Sequence, residues 1–551
     1  MKLEVADNKI KTFALDHHGL VAGICQDLNL AGKIDERLGK KDPRRIVSAG
    51  MGAVAMIVNG LGFTNRRLYL TPQFFESKPV SDLFGKSLAA KDFNDHALGK
   101  ALDEISAYGS SKLFGEIAFE IALENNLLGE LAHIDSTSLS VEGKYDVESV
   151  EETVVKLTYG HSKDHRADLK QVVMSLVVSG KGSIPIWMEP KDGNSSDKTS
   201  FHETIKKVRA FQKQLKGSPE FKWVADSALY NKEKLLSQSD YLWLSRVPET
   251  VREAREIVEM PDSNIDWVEE EKGYKISSFS SMYGDIKQRW LLVYSQQGYE
   301  RERKTLMKKL DKQETQLRKS LHQLGSEKFS CEVDARKAVE RIAKQFSYYT
   351  INTSINTIAQ YGKPGRPKKD ADAEEIIYRV TCDIERNQHT IDIFLNRKGR
   401  FILATNDLDE TKFTDKAMLS EYKQQQCIEQ GFRFLKDPWF MVDSIFLKSP
   451  KRIEALMMIM TLCLMVYNIG QYRLRCALKK NNETLPNQVN KPIQNPTLRW
   501  IFQIMEGIGV TYLFEKTTQD PAKKLVTNVD DLRIKILRLF GGNVQKKYGL
   551  A

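Results

Sequence analysis

The feature that most constrains this chain is a series of strand-like runs that begins near residue 130, stops near 248 and resumes near 399. The runs are LAHIDSTSLSV, TVVKLTYG, LKQVVMSLVVSG and SIPIWMEP. After the break DGNSSD, where Ser196 or Asp197 can cap a helical stretch to about 215, come FKWVAD and YLWLSRVP. Strands interleaved with helix specify an α/β domain. The series resumes with RFILATND, followed by a helix over about 416–436 and, opened by Pro450, a longer apolar helix to about Ala477.

The sequence on either side and between these parts has a different character. Residues 1–125 place apolar positions at mixed three and four spacing, as in GLVAGICQDLNLAGKIDERL and AGMGAVAMIVNGL, which is the pattern of compact helices. Such a region serves either as a helix-turn-helix DNA reader or as a bundle for folding and dimerisation. The interruption, 249–398, holds a strand in IKQRWLLVYS and then a helical region, 300–345, with leucines at 306, 310, 317, 321 and 324. That region carries 13 Lys and Arg against 8 Asp and Glu and leads into the basic GKPGRPKK, so it reads as an insertion. An Asn- and Pro-rich linker, 479–497, precedes a small C-terminal helical region.

Composition narrows the partners. Lys plus Arg number 83 against 73 Asp plus Glu, a net charge of +10, which suits a polyanionic partner without requiring one. The six cysteines form no close CxxC pair, so neither a zinc site nor a disulfide framework is indicated. The most apolar segment, Ala455 to Tyr467, is shorter than the roughly 20 residues a bilayer demands, and reads as a buried helix of a cytoplasmic protein. Gly85-Lys86-Ser87 is no phosphate loop, because position 80 is Val where that motif needs Gly, so no nucleotide cofactor is expected.

Acidic residues stand at telling places in the strands. Asp135 interrupts LAHIDSTSLSV, and Asp226 ends WVA at the carboxyl end of a strand, where open α/β sheets place ligands. In EYKQQQCIEQGFRFLK, Tyr422, Gln425, Glu429 and Lys436 are separated by three, four and seven residues. On one continuous helix they fall within about 60° of one another, opposite Cys427, Ile428, Phe434 and Leu435. Residues of the loop YGHSKDHRADLKQ, Lys163 and Arg166, are candidates for phosphate contact. His161 and His165, four apart there, have no third partner that would make a metal site. GKPGRPKK resembles the core of an AT-hook, whose Arg-Pro element, here Arg366-Pro367, enters narrow minor grooves, although the motif's first arginine is absent.

The spacing Tyr422, Gln425, Glu429, Lys436 resembles the Y-R-E-K signature of DDE transposases encoded by bacterial insertion sequences, with Gln in place of the signature's Arg. HIDSTSLS, WVADSALY and IEQGFRFLK resemble one subgroup of it. The resemblance implies an RNase H-like catalytic core in two parts, 126–248 and 399–478. An N-terminal helical DNA-binding domain, 1–125, would precede it, an α+β insertion would occupy 249–398, and 479–551 would follow. It further implies Asp135, Asp226 and Glu429 as catalytic and metal-binding carboxylates, and DNA contacts by Tyr422, Gln425, Lys436, Lys163, Arg166 and Arg366.

Three carboxylates on one site need a cation, since like charges about 4 Å apart repel by roughly 4 kcal/mol at an effective dielectric of 20. Oxygen-only ligands suit Mg²⁺ or Mn²⁺, two ions per active site in the implied mechanism. The implied activity is binding of inverted terminal repeats, cleavage, and transfer of 3′-OH ends to target DNA by a homodimer in the bacterial nucleoid, away from membranes. A silent DNA-binding derivative, or a metal-dependent nuclease that does not join ends, fits the same residues.

Overall fold

The computed structural model describes residues 10–39, 45–64, 68–85, 87–142, 154–235, 240–270, 273–361, 375–437, 440, 447, 449–514 and 521–550. Arg366 and GKPGRPKK lie outside them. The chain divides into two compact units, one formed by residues 1–245 with 420–551 and the other by 246–419.

The first unit is built on a mixed sheet. Strands β2 (Leu131–Val141), β3 (Lys170–Ser179) and β4 (Ile184–Lys191) form an antiparallel meander, and β5 (Lys222–Ala225) and β6 (Trp243–Arg246) continue it in parallel with β2. β2 and β3 are buried along nearly their whole length. Helix Asp197–Gln212 packs on β2 and β3, helix Ser110–Glu124 lies on β4, and helix Gln426–Leu435 packs on β2, β3 and the long helix Pro450–Lys480. Gly115 permits the close approach to β4, because a Cβ there would stand 2.5 Å from Cζ3 of Trp187.

Pro450–Lys480 is longer than its apolar segment suggests, and by length and composition alone it could cross a membrane. Its most apolar stretch is nevertheless 83% buried, against β4 and the N-terminal helices Ala49–Gly60 and Asp95–Tyr108. Helix Ala49–Gly60 is itself buried except at Met51. A recognition helix must offer a face to the major groove, so this one is a core helix of a bundle.

The C-terminal region corrects the expected linker and helical appendage. Leu485–Pro486 pairs with Pro492–Ile493 inside the supposed linker. Strand Gly509–Phe514 pairs on one side with β1 (Ile10–Ala14) and on the other with Pro521–Thr527. The buried Tyr548 hydroxyl accepts from the Leu20 N–H at 3.1 Å and donates to the Asp16 carbonyl, so both ends of the chain share one core.

The second unit carries an antiparallel sheet in the order β12-β9-β8-β7, from β7 (Val268–Glu269), β8 (Tyr274–Ser281), β9 (Gln288–Ser295) and β12 (Arg400–Thr405). β9 is the strand expected in IKQRWLLVYS. The 300–345 region forms two helices, Gln296–Ser326 and Glu332–Ala343. The five leucines at 306, 310, 317, 321 and 324 are buried against a long hairpin of β10 (Tyr349–Gln360) and β11 (Glu375–Arg386).

Candidate active site

Parallel pairing brings the two aspartates together. In register, His133 of β2 lies opposite Val224 of β5. Asp135 stands two residues beyond His133 in β2, Asp226 follows the carboxyl end of β5, and the Asp226 charge acts on the Asp135 carboxyl. The Asp226 carboxylate is oriented by the Ala228 N–H, 2.9 Å from Oδ1, and its carbonyl accepts from the Ser245 hydroxyl at 2.7 Å.

Asp135 has 18% of its side chain exposed. Burial pushes its carboxyl up to about 7; Lys163 and the Ser136 N–H, 2.7 Å from Oδ1, pull the other way, and the neighbouring Asp226 and Asp197 charges push it further up. The site is thus buried and acidic, with Lys163 as the cation that acts on Asp135.

Asp197 is a member that sequence reasoning placed only as a helix cap. It opens helix Asp197–Gln212, accepts from the Ser136 hydroxyl through Oδ1, and accepts from Lys163 Nζ through Oδ2 at 3.2 Å. Lys163 also donates to the Ser136 carbonyl at 2.6 Å and stands 3.8 Å from Asp135 Oδ1. It therefore binds the acids as an internal counter-ion. The sequence signal for Asp197, an acid just past the break DGNSSD, is common to many helix starts, and only the sheet brings it to Asp135.

The expected single helix of 416–436 is two, Asp415–Lys423 and Gln426–Leu435, with Tyr422 in the first and Glu429 in the second. The break falls at Gln424 and Gln425 because Gln425 is drawn into the core. Its Nε2 donates to the Ile134 carbonyl at 2.9 Å, its Oε1 lies 3.1 Å from His133 Nδ1, and it is 8% exposed. A residue expected to face DNA instead ties the glutamate helix to the aspartate strand. His133 is pushed down to about 4 by burial, with the Gln425 bond opposing, so it is a neutral partner in that link.

Glu429 is exposed in the first turn of its helix, an end that favours negative charge. The same helix is tied at its other end, where Lys436 donates to Asp164 at 2.7 and 2.8 Å. Asp164 adjoins Lys163. Gln425, Glu429 and Lys436 fall within about 40° around the helix, so Glu429 lies on the face whose two ends are fastened to β2 and to the Lys163 loop. Arg166 is exposed and forks onto Asp168 at 2.9 and 2.8 Å. Tyr422 is half-buried.

The structure brings Asp135, Asp226 and Asp197 together. Among the described residues, no three His, Cys, Asp or Glu groups stand close enough to hold a metal. The donors nevertheless suit a hard cation, because Mg²⁺ is commonly held by one or two carboxylates together with substrate phosphate oxygens.

Two family models match the chain. One, described as a domain of unknown function (DUF4277), covers residues 10–119, and the other, a transposase DDE domain, covers 129–466. No curated protein matches. Among solved structures the chain is similar to a piggyBac transposase synaptic complex with hairpin DNA, at 10% identity and a TM-score of 0.35, over 90% of this chain and 82% of that one. The mixed α/β core is RNase H-like, and with residues 129–466 matched the chain belongs to the DDE transposases.

Proposed function

We propose that this transposase binds the inverted terminal repeats of an insertion sequence, cleaves the phosphodiester at each end and transfers the 3′-OH ends to target DNA. Asp135, Asp226 and Glu429 are its catalytic carboxylates in this reading. The observation that carries it is the nearness of Asp135 on β2 to Asp226 just past β5, its parallel neighbour, with the Asp135 carboxyl pushed up to about 7, chiefly by burial, beside the Asp226 and Asp197 charges. A buried site that holds like charges side by side is arranged for a cation and not for stability alone.

Divalent metal dependence is general in this family. The finer assignment is two Mg²⁺ or Mn²⁺ ions held by Asp135, Asp226 and Glu429, which when bound supply an activated water and stabilise the leaving 3′ oxygen. The chain's own residues do the positioning. Gln425 fixes the glutamate helix to β2, and Lys163 neutralises Asp135 and Asp197 until substrate and cation enter. Lys436, Lys163 and Arg166 then contact phosphates, while Tyr422 stacks on a base or bonds to a phosphate beside the cut.

In this assignment residues 126–248 and 399–478 supply the catalytic core, 1–125 and the insertion 249–398 contribute DNA contacts, and the working form is a homodimer on paired ends. The deciding experiment incubates the full chain with Mg²⁺, a labelled duplex carrying the element's end, and a target plasmid. Cleaved and joined products support the reading. Cleavage without joining makes the protein a nuclease, and binding without cleavage even in Mn²⁺ makes it a silent derivative.

A further inference from the structure

The helix Gln296–Ser326 has two opposed faces. The buried leucines at 306, 310, 317, 321 and 324 occupy one side. On the far side, within about 80° of one another, stand Arg301, Lys304, Lys308, Lys312 and Lys319, all exposed. No acidic residue of this helix falls within that arc.

Its four acids lie on the flanks, each already engaged. Glu300 accepts from Gln296 at 2.9 Å, and Glu302 pairs with Lys398 at 3.5 Å. Asp311 and Glu314 both hold Arg386, at 2.7 and 2.9 Å, and Glu314 also holds Arg318 at 3.0 Å. Among the described residues none of the five stripe cations has an ion-pair partner, whereas the nearby Arg318, Arg386 and Lys398 all do. An ordinary solvated helix face intersperses both signs so that i,i+4 pairs attract. Here Lys304, Lys308 and Lys312 follow one another at four-residue spacing and repel, an arrangement that a polyanion relieves.

We propose that this stripe is a phosphate-binding rail for duplex DNA, seated on the insertion unit and sharing no residue with the carboxylate site. From Arg301 to Lys319 it runs about 27 Å at 1.5 Å per residue, the length of about eight base pairs at 3.4 Å each. Lysine point charges spaced along a straight helix hold a backbone without reading bases, so the rail binds DNA irrespective of sequence. The inference rests on the transposase reading, which supplies DNA as the polyanion.

The test measures the affinity of the full-length protein for a random-sequence duplex across a salt series. The variants are Arg301→Gln with Lys304→Gln, Lys308→Gln, Lys312→Gln and Lys319→Gln, and a charge-preserving set with Arg at the four lysines. Gln keeps helix propensity, and circular dichroism checks the fold. Each phosphate that the protein no longer neutralises takes about 0.9 from the slope of log K against log salt. The slope therefore falls by about 2 to 4 in the Gln variant and stays at the wild-type value in the Arg set. An unchanged slope in a folded Gln variant, while the wild type binds and cuts DNA, overturns the rail alone. A wild type that binds no duplex overturns the rail and the transposase reading together, and preference for anionic vesicles over DNA also counts against the rail.

Discussion

Gln425 donates its side-chain N–H to the carbonyl of Ile134, one residue before Asp135, at 2.9 Å. With Oε1 against His133, that amide spans two polar groups of β2 and is almost wholly buried. Replacing it by Leu strands both partners, a change of about 1–3 kcal/mol in stability when buried polar groups lose their bonds. Gln425→Leu is expected to lower Tm and to reduce cleavage by a larger factor than it reduces DNA binding, because the glutamate helix loses its anchor. Equal loss of binding and cleavage, with Tm unchanged, would return Gln425 to the DNA-facing role.

The fold is expected to weaken in mild acid for a reason that does not involve the carboxylates. His17 is buried, stacked on His18 and Phe502, with Nε2 2.9 Å from the Leu61 carbonyl, and burial pushes it down to about 4; His18 is lowered as well, again chiefly by burial. A histidine with a depressed folded pKa gives stability that is full above its unfolded value of about 6.5 and is lost as pH falls towards the folded value. Between pH 7 and pH 5 the His17 contribution alone drops by about 2 kcal/mol. Thermal unfolding at several pH values should show Tm falling over that window, with a shallower fall in His17→Gln. Parallel curves for the two proteins would exclude His17 as a source.

Lys436 is held by Asp164 in the structure, at 2.7 and 2.8 Å. A partly exposed pair of this kind contributes about 0–1 kcal/mol to stability, too little to make the lysine's role structural. Lys436→Ala should weaken binding to the end sequence and reduce the salt slope by about 1, as expected when one phosphate goes without its cation. Asp164→Asn frees the ammonium and should strengthen binding. Wild-type affinity in both variants would leave Lys436 as a helix-end ion pair and nothing more.

The sequence showed the site unevenly, and the reasons are physical. Asp135 and Asp226 stood out because one interrupts an apolar strand and the other ends one, a pattern visible locally, and the parallel pairing of β2 with β5 then brought them near one another. The glutamate helix was legible in composition but not in its break, since the Gln425 side chain turns inward to satisfy groups 291 and 292 residues away. Asp197 and the Lys163 contacts depend on three segments meeting on the sheet, which no local pattern encodes. The hairpin of β10 and β11 went unread because Ile351 and Ile355 alternate with Asn, Ser and Thr, a period-two pattern too polar to signal burial before its helical cover is known. The five leucines of the basic helix, by contrast, marked its buried face directly, because helix periodicity is local.

Catalysis and binding should separate cleanly at the carboxylates. Phosphate contacts come from cations, whereas Asp135, Asp226 and Glu429 repel the DNA backbone and act through bound cation. Asp135→Ala, Asp226→Ala or Glu429→Ala is therefore expected to abolish cleavage while leaving affinity for the end sequence equal or higher, most visibly without metal. Mg²⁺ or Mn²⁺ should restore wild-type cleavage after EDTA. Ca²⁺ should permit binding with little cutting, since its larger and looser coordination misplaces the reacting oxygens. Asp197→Ala supplies the internal comparison, because Asp197 shares Lys163 with Asp135 but lies outside the family's signature. It should reduce cleavage only partly, by loosening Lys163, and retain the metal requirement. Gel shift and nicking assays on the same preparations measure both quantities. If Glu429→Ala cuts at the wild-type rate while Asp197→Ala does not, the third carboxylate of the site is Asp197 and the glutamate assignment falls.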